Sequence, residues 1–289
     1  MGRLGPVTDE LLAWGVPRMR EFPWRATRDP WHVLISEVML QQTNVGRVQP
    51  RFDRFVALAP TPVACASVSL ADLLIEWQGM GYPRRCRNIQ EAARAIVQRH
   101  AGEVPRDLAA LMALPGVGPY TARAILAFAF GDDVAVVDTN VARVIARLHG
   151  RALKPRETQD LADGLLPRGM ARDWNQVIMD FGATVCTARN PSCATCPVSN
   201  RCVWRGVGND PARTTAFTSR PQGRFEGSDR QARGRLMKRL TEGSVAHRDV
   251  AVVMQIADIE RAERLVASLV ADGLVECVDG RYRLNSSSR

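Results

Sequence analysis

The sequence predicts an all-α core followed by a small C-terminal winged-helix-like module, and three observations lead there. Apolar residues recur with helical period from about residue 8 to residue 185, with almost no strand signal in between. Glycines and prolines cut that stretch into segments at Pro60, Pro62, Gly79, Gly81, Pro83, Gly116, Gly118 and Gly131. Near the end, LVECVDGRYRL alternates around Asp279-Gly280, the mark of a two-residue hairpin.

Taken in order, Asp29-Pro30 ahead of WHVLISEVMLQQ supplies an N-cap and a proline in the first helical turn. Further helices are expected at 86–99, 107–113, 120–130 and 139–149. Residues 205–228 are polar and rich in Gly, Pro and Arg, as a linker would be. Beyond them, RQARGRLMKRLTEG and DIERAERLVASLVADG read as helices ending at Gly243 and Gly273. Helices followed by a hairpin form a winged-helix pattern, which binds DNA in some settings and only packs in others.

The 289 residues include 39 Lys+Arg against 30 Asp+Glu, a net charge of +9. Such a balance suits a polyanionic partner such as nucleic acid, although a basic average composition produces it too. No apolar run reaches the roughly 18 residues of a membrane span, and MGRLGPVTDELLAW has no secretory pattern. A cytoplasmic, nucleoid-associated protein without membrane contact is expected. Cys65, Cys86 and Cys277 are scattered, whereas Cys186, Cys193, Cys196 and Cys202 are spaced C-x6-C-x2-C-x5-C. Four clustered thiols in a reducing compartment suggest metal before disulfide, and the spacing alone admits either a tetrahedral zinc or a cubane iron–sulfur cluster.

Residues 114–121 read L-P-G-V-G-P-Y-T. Gly116 and Gly118 allow positive φ and close backbone approach, and a glycine turn opening a helix points N–H groups at an anion. The same residues also serve in a plain αα-turn. Asp138 in VAVVDTNVARVIARL stands at the N-cap of the next helix, a sufficient role for an isolated Asp. Glu37 is the lone acid of WHVLISEVML. A carboxyl there is expected to be desolvated and able to hold a proton near neutrality, although pairing with an arginine would also account for it.

Together, the Gly116–Val117–Gly118 hairpin, Asp138 and the cysteine spacing resemble the endonuclease III-like, helix-hairpin-helix DNA glycosylase superfamily. The segment E-V-M-L-Q-Q-T at 37–43 resembles MutY-type adenine DNA glycosylases, as do F-P-W-R around Trp24 and G-M-G-Y at 79–82. The resemblance covers about residues 8–205. It implies a two-lobed glycosylase core with a 4Fe–4S cluster on Cys186, Cys193, Cys196 and Cys202, and a monovalent cation site at the hairpin. Glu37 would be the acid and base at adenine, with Asp138 facing the sugar and Asn140 and Arg143 supporting it. Gln42 and Thr43 would lie near the opposite base, and Met80 and Tyr82 in the loop that wedges into the stack. Arg84, Arg85, Arg87 and Arg143, with Arg189, Arg201 and Arg205 beside the cluster, would meet DNA. Tyr120 stands where endonuclease III-type enzymes carry a lysine, so no Schiff base can form there. Thr139 departs from the usual glycine. The C-terminal part resembles a short actinobacterial-type variant without the Nudix-like domain.

The expected function is therefore monofunctional hydrolysis of the N-glycosidic bond of adenine mispaired with 8-oxoguanine or guanine, by a monomer on double-stranded DNA. A thymine or other mismatch glycosylase and a non-catalytic iron–sulfur DNA-binding regulator are the alternatives. The expected division is residues 1–29 with 141–204 as the cluster lobe, 30–140 as the helical lobe with the hairpin, 205–228 as linker and 229–289 as the winged-helix-like module.

Overall fold

A computed structural model describes residues 5–217 and 223–286. Helices follow in the order α1 (Gly5–Gly15), α2 (Pro23–Ala26), α3 (Pro30–Leu40), α4 (Val45–Leu58), α5 (Pro62–Ser67), α6 (Leu70–Glu76), α7 (Arg84–Arg99) and α8 (Leu108–Met112). Next come α9 (Pro119–Ile125), continued by a π turn over Leu126–Phe130, α10 (Thr139–His149), α11 (Pro155–Leu165) and α12 (Ala171–Thr184). The C-terminal module runs α13 (Asp229–Glu242), β1 (Val245–Ala246), α14 (Val250–Met254), α15 (Ile259–Ala271), β2 (Val275–Val278) and β3 (Arg281–Leu284).

The described residues fall into two compact units. One lies within Met1–Val33, Arg106–Leu108 and Gly118–Pro221, the other within Leu34–Pro105, Ala109–Val117 and Gln222–Arg289. In the first, α12 packs against α1 and α10. Its core includes Leu11, Ile145, Trp174, Phe181 and Val198, with Trp14 edge-on to Phe181 at 5.5 Å. Gly15 permits the α1–α12 crossing, because a Cβ there would lie 2.4 Å from a Val177 methyl. In the second unit, α5 packs on α7 and α4 on α6, and α13 and β3 pack on α6.

Two expectations about organisation change. Residues 118–140 belong with the cluster unit, because α9 and the chain after it close a small core of Ala124, Ala127, Val136 and Ala171. Part of the expected linker is built into the fold: Asp210 accepts from Arg147, the Thr215 hydroxyl accepts from Leu153 N, and Ala216 N donates to Leu153 O. Residues 218–222 of that linker lie outside the described residues.

The C-terminal sheet is antiparallel with order β1-β3-β2, pairing Val245 with Tyr282 and Cys277 with Tyr282 across its two ladders. Asp279 and Gly280 both have positive φ, 50° and 71°, as the expected tight hairpin turn requires. The short β1 and α14 were not anticipated.

Asp180 on α12 is 3% exposed and receives hydrogen bonds from Arg20 and Arg25, tying the F-P-W-R segment to the core. Burial raises its carboxyl, but the Arg25 and Arg20 hydrogen bonds outweigh that and hold it below the usual value. A carboxylate depressed in the folded state stabilises above its unfolded value, near 3.9, and loses that contribution as pH falls through the folded value. Asp180→Asn is expected to cost about 3–5 kcal/mol at neutral pH, because two guanidinium groups lose their partner. Urea unfolding of both proteins from pH 7 to pH 3 should show the gap narrowing in acid; a gap constant with pH would contradict the assignment.

Candidate active site and metal centre

Glu37 sits on α3 and is buried, 6% exposed. The last carbonyls of this helix are gripped by Arg85. Its Nη1 donates to Val38 O and Met39 O at 2.8 and 2.9 Å, and its Nη2 to the Thr43 hydroxyl at 2.8 Å and to Met80 O and Gly81 O. The guanidinium also lies over the Trp77 and Tyr82 rings. Burial pulls it down to about 10, which leaves it charged at neutral pH. A helix C-terminus attracts a cation, and here the cation joins that terminus to the 79–82 loop.

That loop is tightly turned: Gly79, Gly81 and Tyr82 all have positive φ, and the Thr43 hydroxyl donates to Met80 O at 3.1 Å. Met80 is 2% exposed and belongs to the core, which corrects its expected place as an exposed wedge; Tyr82 is half-buried. Gln42 is exposed with φ 54°. Arg85 is likewise not a phosphate contact. Its position on the buried stripe of α7, four residues before Ile89, was the available signal. Arg84 is largely exposed beside Asp272 at 3.5 Å, and Arg87 donates to Asp272 O.

The hairpin between α8 and α9 closes with Val117 N donating to Leu114 O. Gly116 has φ 78°, and a Cβ there would strike Asn88 at 2.8 Å. Val117 is buried, and Gln41 reaches Gly116 O at 3.4 Å. Gly118 differs from expectation: its φ is −96°, an ordinary extended value at the N-cap of α9. Nothing lies within 4 Å of a Cβ built there, so the backbone is uncrowded on that side.

Asp138 caps α10. Its Oδ1 accepts from Val141 N and its Oδ2 from Asn140 Nδ2, both at 2.7 Å. Asn140 Oδ1 in turn accepts from Arg143, which also donates to Gly182 O at 2.6 Å and Cys186 O at 2.8 Å. Arg143 is thus buried behind the carboxylate, and its expected contact with DNA is replaced by support of Asn140. Gly182 lets α12 approach, since a Cβ would lie 2.8 Å from Asn140 Cβ. Burial pushes the Asp138 carboxyl above the usual carboxylate value, against the opposing hydrogen bonds and the Arg143 charge. Tyr120, half-buried in the first turn of α9, packs against the Ala124–Ala127–Val136 core.

Cys186, Cys193, Cys196 and Cys202 are free thiols lining one pocket with Val144, Leu148, Phe181 and Trp204. Arg147, 1% exposed, donates to Cys186 Sγ at 3.3 Å and to Asp210 at 2.7 Å, and lies over the Trp204 ring. Gly206 has φ 83°, and a Cβ there would lie 3.1 Å from Cys193 Sγ. Among the described residues no set of three His, Cys, Asp or Glu is arranged to hold a single metal ion. Four thiols around a pocket, a glycine clearing one sulfur and an arginine beside another fit a thiolate-bound cluster. Of the arginines expected to meet phosphate here, Arg189 is exposed, Arg201 pairs with Glu10, and Arg205 folds back on Cys202 O and Asn200 O.

The structure therefore gathers Asp138, Asn140, Arg143 and the cysteines in one unit, and Glu37, Thr43, Met80 and Tyr82 in the other. Arg147 with Asp210, Gly182 and Gly206 were missed. Arg143 and Arg147, four apart on the buried face of α10, could have been read as core residues; the glycines carry no such signal.

A helical hairpin fold with a half-buried carboxylate at a helix N-cap and a four-cysteine loop defines a DNA-repair glycosylase class. Residues 35–168 match the model of the HhH-GPD superfamily base excision DNA repair protein, and residues 186–202 the iron–sulfur binding domain of endonuclease III. The adenine DNA glycosylase of Mycolicibacterium smegmatis is 43% identical over 95% of this chain and 94% of its own. A thymine/uracil-DNA glycosylase of Methanothermobacter thermautotrophicus is 35% identical over 68% of this chain and 92% of its own. Among solved structures, a thermostable thymine-DNA glycosylase aligns with TM-score 0.66 at 31% identity, covering 71% of this chain and 97% of that one. Endonuclease III in a non-covalent DNA complex aligns at 0.61 and 28%, covering 70% and 94%. The chain belongs to the HhH-GPD superfamily of base excision DNA repair proteins, and carries an iron–sulfur cluster loop.

Asp138→Asn separates catalysis from capping. Asn keeps an N-cap acceptor, and it removes a carboxylate whose folded-state value is raised and whose charge therefore costs stability at neutral pH. The thermal midpoint should stay level or rise while base excision falls at least about a hundredfold. A lowered midpoint with excision retained would leave Asp138 as a cap only.

Proposed function

We propose that this protein is a monofunctional adenine DNA glycosylase that hydrolyses the N-glycosidic bond of adenine opposite 8-oxoguanine or guanine. The observation that carries the reading is the pair of carboxyls placed in contrasting settings. Glu37 is buried within an apolar helix, and Asp138 is fixed by Asn140 and Val141. The 43% identity to adenine DNA glycosylases supports adenine as the excised base.

The mispaired adenine leaves the stack, at a cost lower than for a paired base. Glu37 in its acid form protonates N7, which makes adenine a neutral leaving group. As the C1′–N9 bond breaks, positive charge develops on the sugar, and the Asp138 carboxylate stabilises it or bonds to C1′ transiently. Glu37, now ionised, takes a proton from the water that attacks C1′, which restores the acid and leaves an abasic sugar. Tyr120 has no amine to attack C1′, so the strand stays intact. Gly118 N–H and the hairpin would hold a phosphate, and a monovalent cation bound at the hairpin would help neutralise it. Cys186, Cys193, Cys196 and Cys202 would hold a 4Fe–4S cluster whose part is to fix the loop after α12. The protein acts as a monomer on double-stranded DNA in the cytoplasm, at the nucleoid. No helix among the described residues is long and apolar enough to cross a membrane.

Single-turnover reaction with duplexes bearing A·8-oxoguanine, A·G and T·G tests this. Strand scission at adenine that requires alkali is expected. Scission at thymine alone would move the chain to the mismatch-thymine reading that its 35% identical relative favours. Scission without alkali, with a borohydride-trapped adduct, would contradict the role of Tyr120.

A further inference from the structure

The match to the iron–sulfur binding domain of endonuclease III ends at Cys202. The chain does not leave the cysteines there. Trp204 lines the cysteine pocket, and Arg205 and Gly206 both have positive φ, 50° and 83°, which brings the backbone back beside two of the sulfurs. Arg205 N donates to Cys202 Sγ at 3.4 Å, and a Cβ at Gly206 would lie 3.1 Å from Cys193 Sγ. The Arg205 side chain holds that shape by donating to Cys202 O and Asn200 O, both at 2.9 Å. Successive residues turned this way present N–H groups to an anion. Further on, Asp210 caps a short turn at Pro211–Arg213 and accepts two hydrogen bonds from the Arg147 guanidinium, at 3.1 and 2.7 Å.

Four thiolates that hold an iron–sulfur core keep net negative charge. The pocket around them is apolar, with Val144, Leu148, Phe181 and Val198 in its wall. Buried negative charge is costly there unless donors or a cation face it. Arg147 is one such group. It is 1% exposed, donates to Cys186 Sγ at 3.3 Å, and directs its other N–H groups to Asp210 and to the carbonyls of Cys186, Thr187 and Ala188. Arg147 O accepts from the Cys202 thiol at 3.3 Å and from Trp204 N at 3.2 Å. That carbonyl therefore keeps a donor when the thiol loses its proton on binding iron.

The Trp204 side chain is the group left over. The Arg147 guanidinium carbon lies 4.5 Å from its ring centre, and its Nε1 is buried with no hydrogen-bond acceptor among the described residues. A buried indole N–H normally finds a partner, because losing water without a replacement is costly. The acceptors that this pocket would gain are the sulfurs of a bound cluster. Phenylalanine would fill the same wall without leaving a donor.

We infer that the cluster site extends past the four cysteines to residues 204–210: the Trp204 indole N–H bonds a sulfur of the cluster, and Arg147, held by Asp210, is its counter-charge. This rests on the cluster reading of Cys186, Cys193, Cys196 and Cys202. Both groups favour the more negative, reduced form, so they raise the midpoint potential and slow the loss of iron. They act on the cluster and not on the substrate.

The test uses the full chain, purified anaerobically, as parent, Trp204→Phe and Arg147→Lys. Iron and sulfide content and visible absorption are measured first, then the midpoint potential at an electrode and the rate of iron loss to a chelator. Trp204→Phe keeps an aromatic ring beside Arg147 and removes the N–H. It is expected to lower the midpoint and to quicken loss roughly three- to tenfold. Arg147→Lys keeps the charge but not the fork, and should shift both in the same direction; if it does not fold, Trp204→Phe alone decides. A Trp204→Phe protein with the parent's midpoint overturns the inference, and faster loss at an unchanged midpoint also overturns it by reducing Trp204 to packing. Either result in a protein that holds iron and sulfide leaves the cluster reading standing. A parent chain that holds zinc, or no metal, sinks the cluster reading and the inference together.

Discussion

The buried hydrogen bonds of Arg143 are the interaction on which the Asp138 side of the site depends. Its guanidinium is buried behind α10, bonded to Asn140, Gly182 O and Cys186 O. Through Asn140 it fixes the Asp138 carboxylate, and through Cys186 O it fixes the start of the cysteine loop. A carboxylate aimed at a developing cation must be ionised and immobile before the substrate arrives. Desolvation works against the first requirement, and the Val141, Asn140 and Arg143 groups work for it. Gly182 allows the close helix approach that makes the arrangement fit.

The same device recurs in both units. Arg85 joins the end of the Glu37 helix to Thr43 and to the loop of Met80 and Tyr82, and Arg147 joins Cys186 and Asp210 to the cysteine pocket. Three arginines that raise the formal charge are thus interior groups satisfying backbone carbonyls and carboxylates. The net charge of +9 overstates the cationic surface available to DNA. What remains outside, Arg84, Arg189 and Arg224 among others, is the exposed cationic surface.

Much of this was legible before any coordinates. V-V-D-T-N-V-A-R announces a capped helix, and α10 runs over Thr139–His149 with Asp138 as its cap. The hairpin glycine Gly116, the Asp279-Gly280 turn and the cysteine spacing each carry a local physical requirement that the chain states directly. Arginine placement was not legible in the same way, because a guanidinium serves a phosphate or a buried carbonyl equally well and only the tertiary setting decides. Arg85 and Arg143 moved from DNA contact to the interior for this reason. The five residues of α14 are too few for periodicity to register. Gly182 and Gly206 matter through what would collide with a Cβ, which no sequence pattern encodes.

The pH dependence of single-turnover adenine excision, for the parent and for Asn140→Ala, tests most directly that Asp138 acts as an anion held against desolvation. The rate should rise with pH through an apparent value above the ordinary 3.9 of an aspartate. Loss of the Asn140 hydrogen bond should move that limb to higher pH, because the donor favours the charged form. An acid limb at or below 3.9 that Asn140→Ala leaves in place would contradict the account.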